Sequence, residues 1–524
     1  MSVREVETEV CIIGSGLAGM MAALAAHSRG AKVLTLGKFS PGRGTCSISS
    51  NGRFNAPGEG YGVESMFTQT MQVGKGINDQ VLAWKLVSEI GETLDEMARM
   101  TGVRFVAMGK GACKIGKAGG IVPGDGRDLT AALVTAFTGA GIEYLAGYTA
   151  VELIVEDNHC KGLLALSRLG EMLLVRSKAV VLAAGGCGGI FEVHNNPESI
   201  CGDSYAMAAR AGAALRDMEF IQFYSLAAAE KGQPRRLFFQ PTPDSARLID
   251  QEGRDVIATR LNAKITLSTA MITMRDELAR AIVSSERSGS SVYLDFSETT
   301  PEELALNPHI RNIVYPEGKD KAPRWKVTPT THFCMGGVSI DTQARTTVEG
   351  LIAVGEAAGG VHGANRMGGN ALTECLVFGR TGGISAAEMA SAQPLPNIGG
   401  SLLETAVKSV TFFGKPRTLA SGEINQLRQQ VKRTMWDHLG PVRDGSGMEQ
   451  AGRDLASIEE SIKNAAAADP RSLLKLHELR SMVATGQMIT SSALWRKESR
   501  GSHYRTDYPR ESAEFAKGST VHQP

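Results

Sequence analysis

Residues 6 to 37 read as a strand, VETEVCIIG, a helix, SGLAGMMAALAAHSRG, and a second strand, AKVLTLG. At the first junction stand Gly14, Ser15, Gly16, Leu17, Ala18 and Gly19, a G-x-G-x-x-G pattern closing a strand and opening a helix. Nothing else in the chain constrains the fold as strongly. The first glycine permits the tight turn, the second lets the backbone approach a pyrophosphate at the helix N-terminus, and the third lets helix and strand pack closely. In this βαβ context a dinucleotide site is expected over a plain tight turn.

The acidic residue expected on the ribose about twenty positions further on is missing, for Gly37 and Lys38 stand there. That weakens an NAD site, whereas FAD folds vary more at this point. Two further glycine clusters follow buried-strand patterns, at 183–189 (AAGGCGG) and 355–360 (GEAAGG). The 60 glycines among 524 residues exceed the roughly 7% of an average protein, and they show no Gly-X-Y period. Three glycine turns at strand ends point to one extended cofactor threaded through a single sheet.

The βα alternation lapses between about 226 and 325, where Pro, Arg and polar residues are denser, and resumes at GLIAVGEAAGG. An inserted domain is expected there. The FAD-type domain is then discontinuous, over 1–225 and 326–400, and a separate helical domain with a polar tail from Arg500 occupies 401–524. The 56 Lys and Arg balance 55 Asp and Glu, so no basic field argues for nucleic acid or an anionic membrane. No signal peptide or spanning stretch is read. The eight cysteines are at least fourteen positions apart, so no CxxC ligand set exists and no metal site is expected; reduced thiols in a cytoplasmic protein are the default reading.

The motifs IIGSGLAGMMAAL, GKGINDQ, VVLAAGGCGGIF, GDSYAMAARAGAALRDMEFIQF, THFCMGGVSID, GLIAVGEAAGGVHGANRMGGNAL and ESRGSHYRTDYP run in order along nearly the whole chain. Together they resemble the flavoprotein subunits of succinate dehydrogenase and fumarate reductase, a family that includes L-aspartate oxidase and acrylate-type reductases. The resemblance implies an α/β fold: a Rossmann-like FAD domain of the glutathione-reductase type, an inserted α+β capping domain and a C-terminal helical domain. It implies FAD on Gly14, Ser15, Gly16, Leu17, Ala18, Gly19 and Lys38, on Gly44, Thr45, Ser47 and Gly52, and on Gly185, Gly186, Asp203, Glu356, Ala371 and Leu372.

In that family hydride passes between flavin N5 and one carbon of a C=C bond beside a carboxylate, and a proton reaches the other carbon. By resemblance, Arg366 in GANRMGGN forks the carboxylate, His332 in THFCMGG binds the same group, and Arg280 in RDELARA is the proton donor. An arginine is very basic, so that role needs a relay returning its proton.

Two departures matter. The family's QFHPT histidine, which serves a second carboxylate, is replaced by Tyr224 in QFYSL, and the following Thr-Glu-Gly segment by RRLFFQPTPDSAR. A second carboxylate buried there without partners costs several kcal/mol. Tyr224, Leu237, Phe238 and Phe239 instead suit a neutral, bulky or aromatic distal end, the alternative for the Phe pair being capping-domain core. Asp244 and Arg247 reproduce an acid-x-x-Arg spacing and are candidates for the relay. The loop matching the family's flavin-linking RSHT reads GRGTCSISSNGRFN and lacks histidine, so FAD is expected to be noncovalent, with a lower potential favouring alkene reduction.

The expected activity is reduction of an enoate other than fumarate. The alternatives are an amino-acid oxidase of the L-aspartate oxidase type and an electron-transferring subunit of a larger complex. The tail motif resembles the region near an iron-sulfur partner, so an iron-sulfur or other electron-transfer subunit is expected, with membrane association, if any, through that partner.

Overall fold

The computed structural model describes residues 3–521 apart from 110, 118, 119, 230–236, 240, 241, 306, 316–320, 412–416 and 464. A seven-stranded sheet organises the chain. Its spatial order is Glu143–Ala146, Val33–Gly37, Val3–Ile13, Met172–Leu182, His159–Ser167 and Tyr148–Glu156. The first four of these run parallel. The strand Met172–Leu182 is shared: its first half pairs antiparallel with His159–Ser167, and its last residues pair parallel with Leu351–Ala353. A segment 170 residues downstream thus returns to the same sheet, as expected for a domain interrupted by an insertion.

The helix Leu17–Ser28 packs against Asn370–Ala392. Their backbones nearly touch, because a Cβ on Gly379 or Gly383 would lie 2.8 Å from the Ala18 carbonyl or 2.2 Å from the Ala22 carbonyl. Alanine on one helix and glycine on the other make this approach possible.

The capping unit is a four-stranded antiparallel sheet in the order Ile221–Ala228, Arg324–Cys334, Val292–Asp295, Arg247–Asp250. Its own core includes Leu226, Phe238, Leu248, Ile282, Phe296 and Val327. The boundaries expected at 226 and 325 fall inside the first two strands, whose far ends reach back to the FAD-type domain. Residues 230–236, 240 and 241 of the divergent segment lie outside the described residues.

The helices Ser421–Leu439, Gly445–Lys463 and Pro470–Trp495 pack on one another. Their apolar faces (Met435, Leu455, Leu476, Ile489) join the core of the large sheet (Leu164, Val175, Val180) rather than forming a core of their own. The tail is not solvated. Arg496, Glu498 and His503 are fully buried. Arg496 Nε lies 2.5 Å from Glu219, its Nη1 2.9 Å from Glu498, and Arg500 2.8 Å from Glu498. The tail's charges are paired with one another and with the FAD-type domain, which makes their burial tolerable. Among the described residues, no helix is long and apolar enough to cross a membrane.

Candidate active site

Two cavities meet at Ser47, Cys46, Glu356 and Cys375. The first runs along the strand ends. Of the residues expected to hold FAD, Gly14, Ser15, Gly16, Leu17, Ala18, Lys38, Gly44, Thr45, Ser47, Gly185, Asp203 and Glu356 line it. Gly14 has φ +110°, and a Cβ there would lie 2.3 Å from the Ala183 carbonyl. Leu17 N–H is taken by Ser47 Oγ at 3.0 Å, and the first turn of its helix carries no acid, so the positive end of the helix still favours an anion. These features fit a dinucleotide phosphate.

Gly19, Gly52 and Gly186 line neither cavity. They serve backbone packing instead: a Cβ would lie 2.1 Å from the Gly14 carbonyl at Gly19, 2.9 Å from the Asp125 backbone at Gly52, and 2.3 Å from Glu356 at Gly186. Lys38 replaces the expected ribose acid and meets Asp203 at 2.8 Å and Glu478 at 2.9 Å. Burial opposes its charge, but the carboxylates hold its pKa well above the usual lysine range.

The second cavity, about 1010 Å³, lies beneath the capping sheet and includes Ala371, Leu372, Arg366, His332 and Tyr224. Its volume is at the upper end for small-molecule sites, enough for a ring system and a substrate together. His332 is placed by a break in pairing. The register steps from Gln222 opposite Phe333 to Phe223 opposite Thr331, so His332 is the extra residue of a β-bulge, a device that re-aims a side chain. Its pKa is pushed down to about 3 by burial and then by Arg366 and Arg275, so the ring is neutral at pH 7.

Arg366 is buried with its guanidinium 4.6 Å over the Phe333 ring. Its Nη2 donates to Gln222 Oε1 at 2.7 Å, and its buried Nε has no hydrogen-bond partner among the described residues. Burial and the Arg275 charge lower its pKa to about 10; it remains a cation. Gln222 is itself held by Asn365 (2.8 Å) and by the Arg366 carbonyl (3.0 Å).

The helix Arg275–Arg287 closes the site from the capping side and carries two arginines that line the cavity, Arg275 and the expected proton donor Arg280. Arg275, at the helix start, donates through Nη2 to Asn365 Oδ1 at 2.8 Å, and its charge acts on His332, Arg366 and Tyr224. Arg280 lines the outer part of the cavity, 3.4 Å from Glu277 and stacked 4.5 Å over the Tyr504 ring. Five residues on a helix are offset by about 140°, and of the two arginines it is Arg275 that bonds Asn365, the neighbour of Arg366. Asp276 lies 4.0 Å from Arg275 Nε and accepts from Asn365 Nδ2 at 2.6 Å; burial raises its pKa.

Asp244 and Arg247 are displaced from the expected role. Both are exposed on the capping unit and line neither cavity. Arg247 opens the edge strand of that sheet, opposite Asp295, and Asp244 lies in the preceding turn.

The distal wall is aromatic and apolar. Tyr224 stands 5.8 Å from Phe239, which lies 5.4 Å from His309. Leu237, Met271 and Ile272 complete this side. Phe238 differs: it is fully buried against Phe296 and Trp325 in the capping core.

Fold and site together define an FAD-dependent oxidoreductase. An FAD binding domain family model matches residues 9–372, and a fumarate reductase flavoprotein C-terminal model matches residues 428–524. The chain belongs to the flavoprotein family of fumarate reductase and succinate dehydrogenase. It is 31% identical to a subunit of the fumarate reductase (CoM/CoB) of Methanothermobacter marburgensis, over 97% of this chain and 96% of the relative. It is 32% identical to L-aspartate oxidase of Mesorhizobium japonicum, over 95% and 91%. Among solved structures, Mycobacterium smegmatis Sdh1 in complex with UQ1 superposes with a TM-score of 0.85 at 26% identity, covering 100% of this chain and 95% of that one.

Proposed function

We propose that this chain reduces the C2–C3 double bond of a monocarboxylate whose other end is neutral and bulky or aromatic. The observation carrying this reading is the lining of the second cavity: Arg366 and His332 offer donors to one carboxylate, while Tyr224, Phe239, Leu237 and Met271 present rings and apolar groups. FAD, held along the first cavity, supplies the hydride when reduced. Arg366 offers N–H donors to the carboxylate, and neutral His332 adds a hydrogen bond without a third cation. Arg275 then gives its proton to the second alkene carbon, and half-buried Asp276, 4.0 Å from Arg275 Nε, relays a proton back to Arg275. Asp276 is replenished from water in the cavity. The product is the saturated acid.

The test is a panel of unsaturated acids, from fumarate to aryl acrylates, added anaerobically to the photoreduced flavoprotein. Fastest reoxidation by an aryl or alkyl acrylate supports the reading. Fastest reoxidation by fumarate overturns it.

A second reading is an amino-acid oxidase, favoured by the 32% identity to an L-aspartate oxidase. Hydrogen peroxide and an imino acid formed from aspartate would establish it. Tyr224, Leu237 and Phe239, which among the described residues form the wall where a second carboxylate would need donors, oppose it.

The electron donor in this proposal is a separate iron-sulfur or other electron-transfer protein in the cytoplasm, meeting the chain where Trp495 and Tyr508 are exposed beside the buried tail. Copurification of such a protein supports the assignment. Full turnover of the isolated chain with free NADH opposes it.

A further inference from the structure

Asn195 and Asn196 line the same cavity, in the loop before the helix Asp203–Arg210. Asn196 Nδ2 lies 3.2 Å from the His332 carbonyl, an oxygen that can only accept, so this atom must be the amide nitrogen. The same nitrogen lies 3.1 Å from the Asn195 side-chain atom assigned as Oδ1, which must therefore accept. That leaves Asn195 Nδ2 as the atom 3.1 Å from His332 Nδ1. Asn195 Oδ1 is farther from that ring nitrogen, at 3.4 Å, and is already engaged by Asn196.

We infer that Asn195 is a positioning residue, which, locked by Asn196, holds His332 as the tautomer with Nδ1 bare and the proton on Nε2. The inference rests on His332 as the donor to the substrate carboxylate, and it adds how that donor is made. An amide N–H against Nδ1 demands a lone pair there, so the remaining proton must sit on the other ring nitrogen.

The lock is itself anchored. Asn195 N–H donates to the Thr331 carbonyl at 3.2 Å, and the Asn196 carbonyl lies 2.9 Å from His194 Nδ1. Beyond His194 lie Glu198 at 3.2 Å and then Lys432, 2.5 Å from Glu198. On the cavity side His332 faces the Tyr224 ring edge, 5.5 Å away, and the charges of Arg366 and Arg275. Both cations oppose a second proton on the ring. His332 should therefore stay neutral between about pH 5.5 and 8, so that its own hydrogen bond to the carboxylate does not change with pH, and Glu356, which lines the same cavity, is the group whose titration there acts on Arg366.

The experiment is 15N NMR of the FAD-loaded, histidine-labelled protein. The His332 signals are assigned by their loss in His332→Gln and independently by their shift in Asn195→Asp. A protonated Nε2 and bare Nδ1, unchanged from pH 5.5 to 8, is the expected result; a protonated Nδ1 or an imidazolium overturns the inference. In Asn195→Asp the new carboxylate pulls a proton onto Nδ1. Cinnamate affinity, read from the flavin absorbance, should then fall about tenfold per pH unit above the new imidazolium pKa, while Asn195→Ala weakens it at all pH values alike. Asn195→Asp with a pH-independent cinnamate affinity overturns the inference. If the wild-type tautomer is as inferred but cinnamate and other acrylates do not bind, the enoate reading falls and the inference stands.

Discussion

Tyr224 stands edge-on to His332 with its ring centroid 5.5 Å away, and its hydroxyl is turned from the cavity to donate to the Phe238 carbonyl at 3.0 Å. The wall it forms therefore shows the substrate a ring and not a donor. Tyr224→His should restore a donor, raising the rate at which fumarate reoxidises the reduced flavin by about ten- to a hundredfold, the value of one charge-assisted hydrogen bond. Tyr224→Phe should cost about 1 kcal/mol of stability and leave kcat/KM for the preferred enoate within about threefold. Stopped-flow reoxidation and chemical denaturation measure the two effects.

Arg275→Gln should lower kcat by about 10² to 10⁴, the usual contribution of a positioned acid, with the flavin spectrum unchanged. Arg280→Gln should lose less than about tenfold, because its partners are Glu277 and the Tyr504 ring. Equal losses in the two variants would contradict this assignment.

Glu356 accepts the Cys334 N–H at 3.0 Å, and burial pushes its carboxyl up to about 7. A carboxyl raised on folding binds more protons in the native than in the unfolded chain between about pH 4.5 and 7. Stability is therefore lost as pH rises through that window, by roughly 3 kcal/mol at about 1.4 kcal/mol per pKa unit. Glu356→Gln in the apoprotein should raise Tm at pH 8 and have little effect on it at pH 5. Calorimetry at both pH values checks the sign.

Acid precipitation should release all the flavin, since the loop 40–62 contains no histidine. A yellow, washed pellet would show a covalent link.

The glycine turns made the cofactor domain legible, because a G-x-G-x-x-G between strand and helix has few other uses. The capping sheet was legible only as a lapse of pattern, for its bounding strands belong to both units. Motif resemblance points to Arg280 and carries no signal for Arg275. Only the helix start and its phase show which arginine reaches Asn365. Asn195 carried no signal, since an asparagine in a polar loop looks like any turn residue until its amide is seen against His332. The tail misled in the opposite sense. A run such as ESRGSHYR looks solvated letter by letter, and pairing across 277 residues, as between Glu219 and Arg496, is invisible along the chain.

The last described strand, Thr520–Val521, pairs with Leu215–Arg216, and Ser519 N–H donates to the fully buried Asp217 at 2.9 Å. A ribosome making this chain therefore exposes Asp217 and Glu219 some 280 to 300 residues before their partners emerge. Until then Asp217 has only the neighbouring Arg216, 2.9 Å away, Glu219 lacks Arg496, and the sheet edge they flank is open to other chains. Completion of the FAD domain thus waits for residues 496–521, and termination anywhere upstream of Arg496 should yield protein that a cell's quality control removes rather than a working fragment.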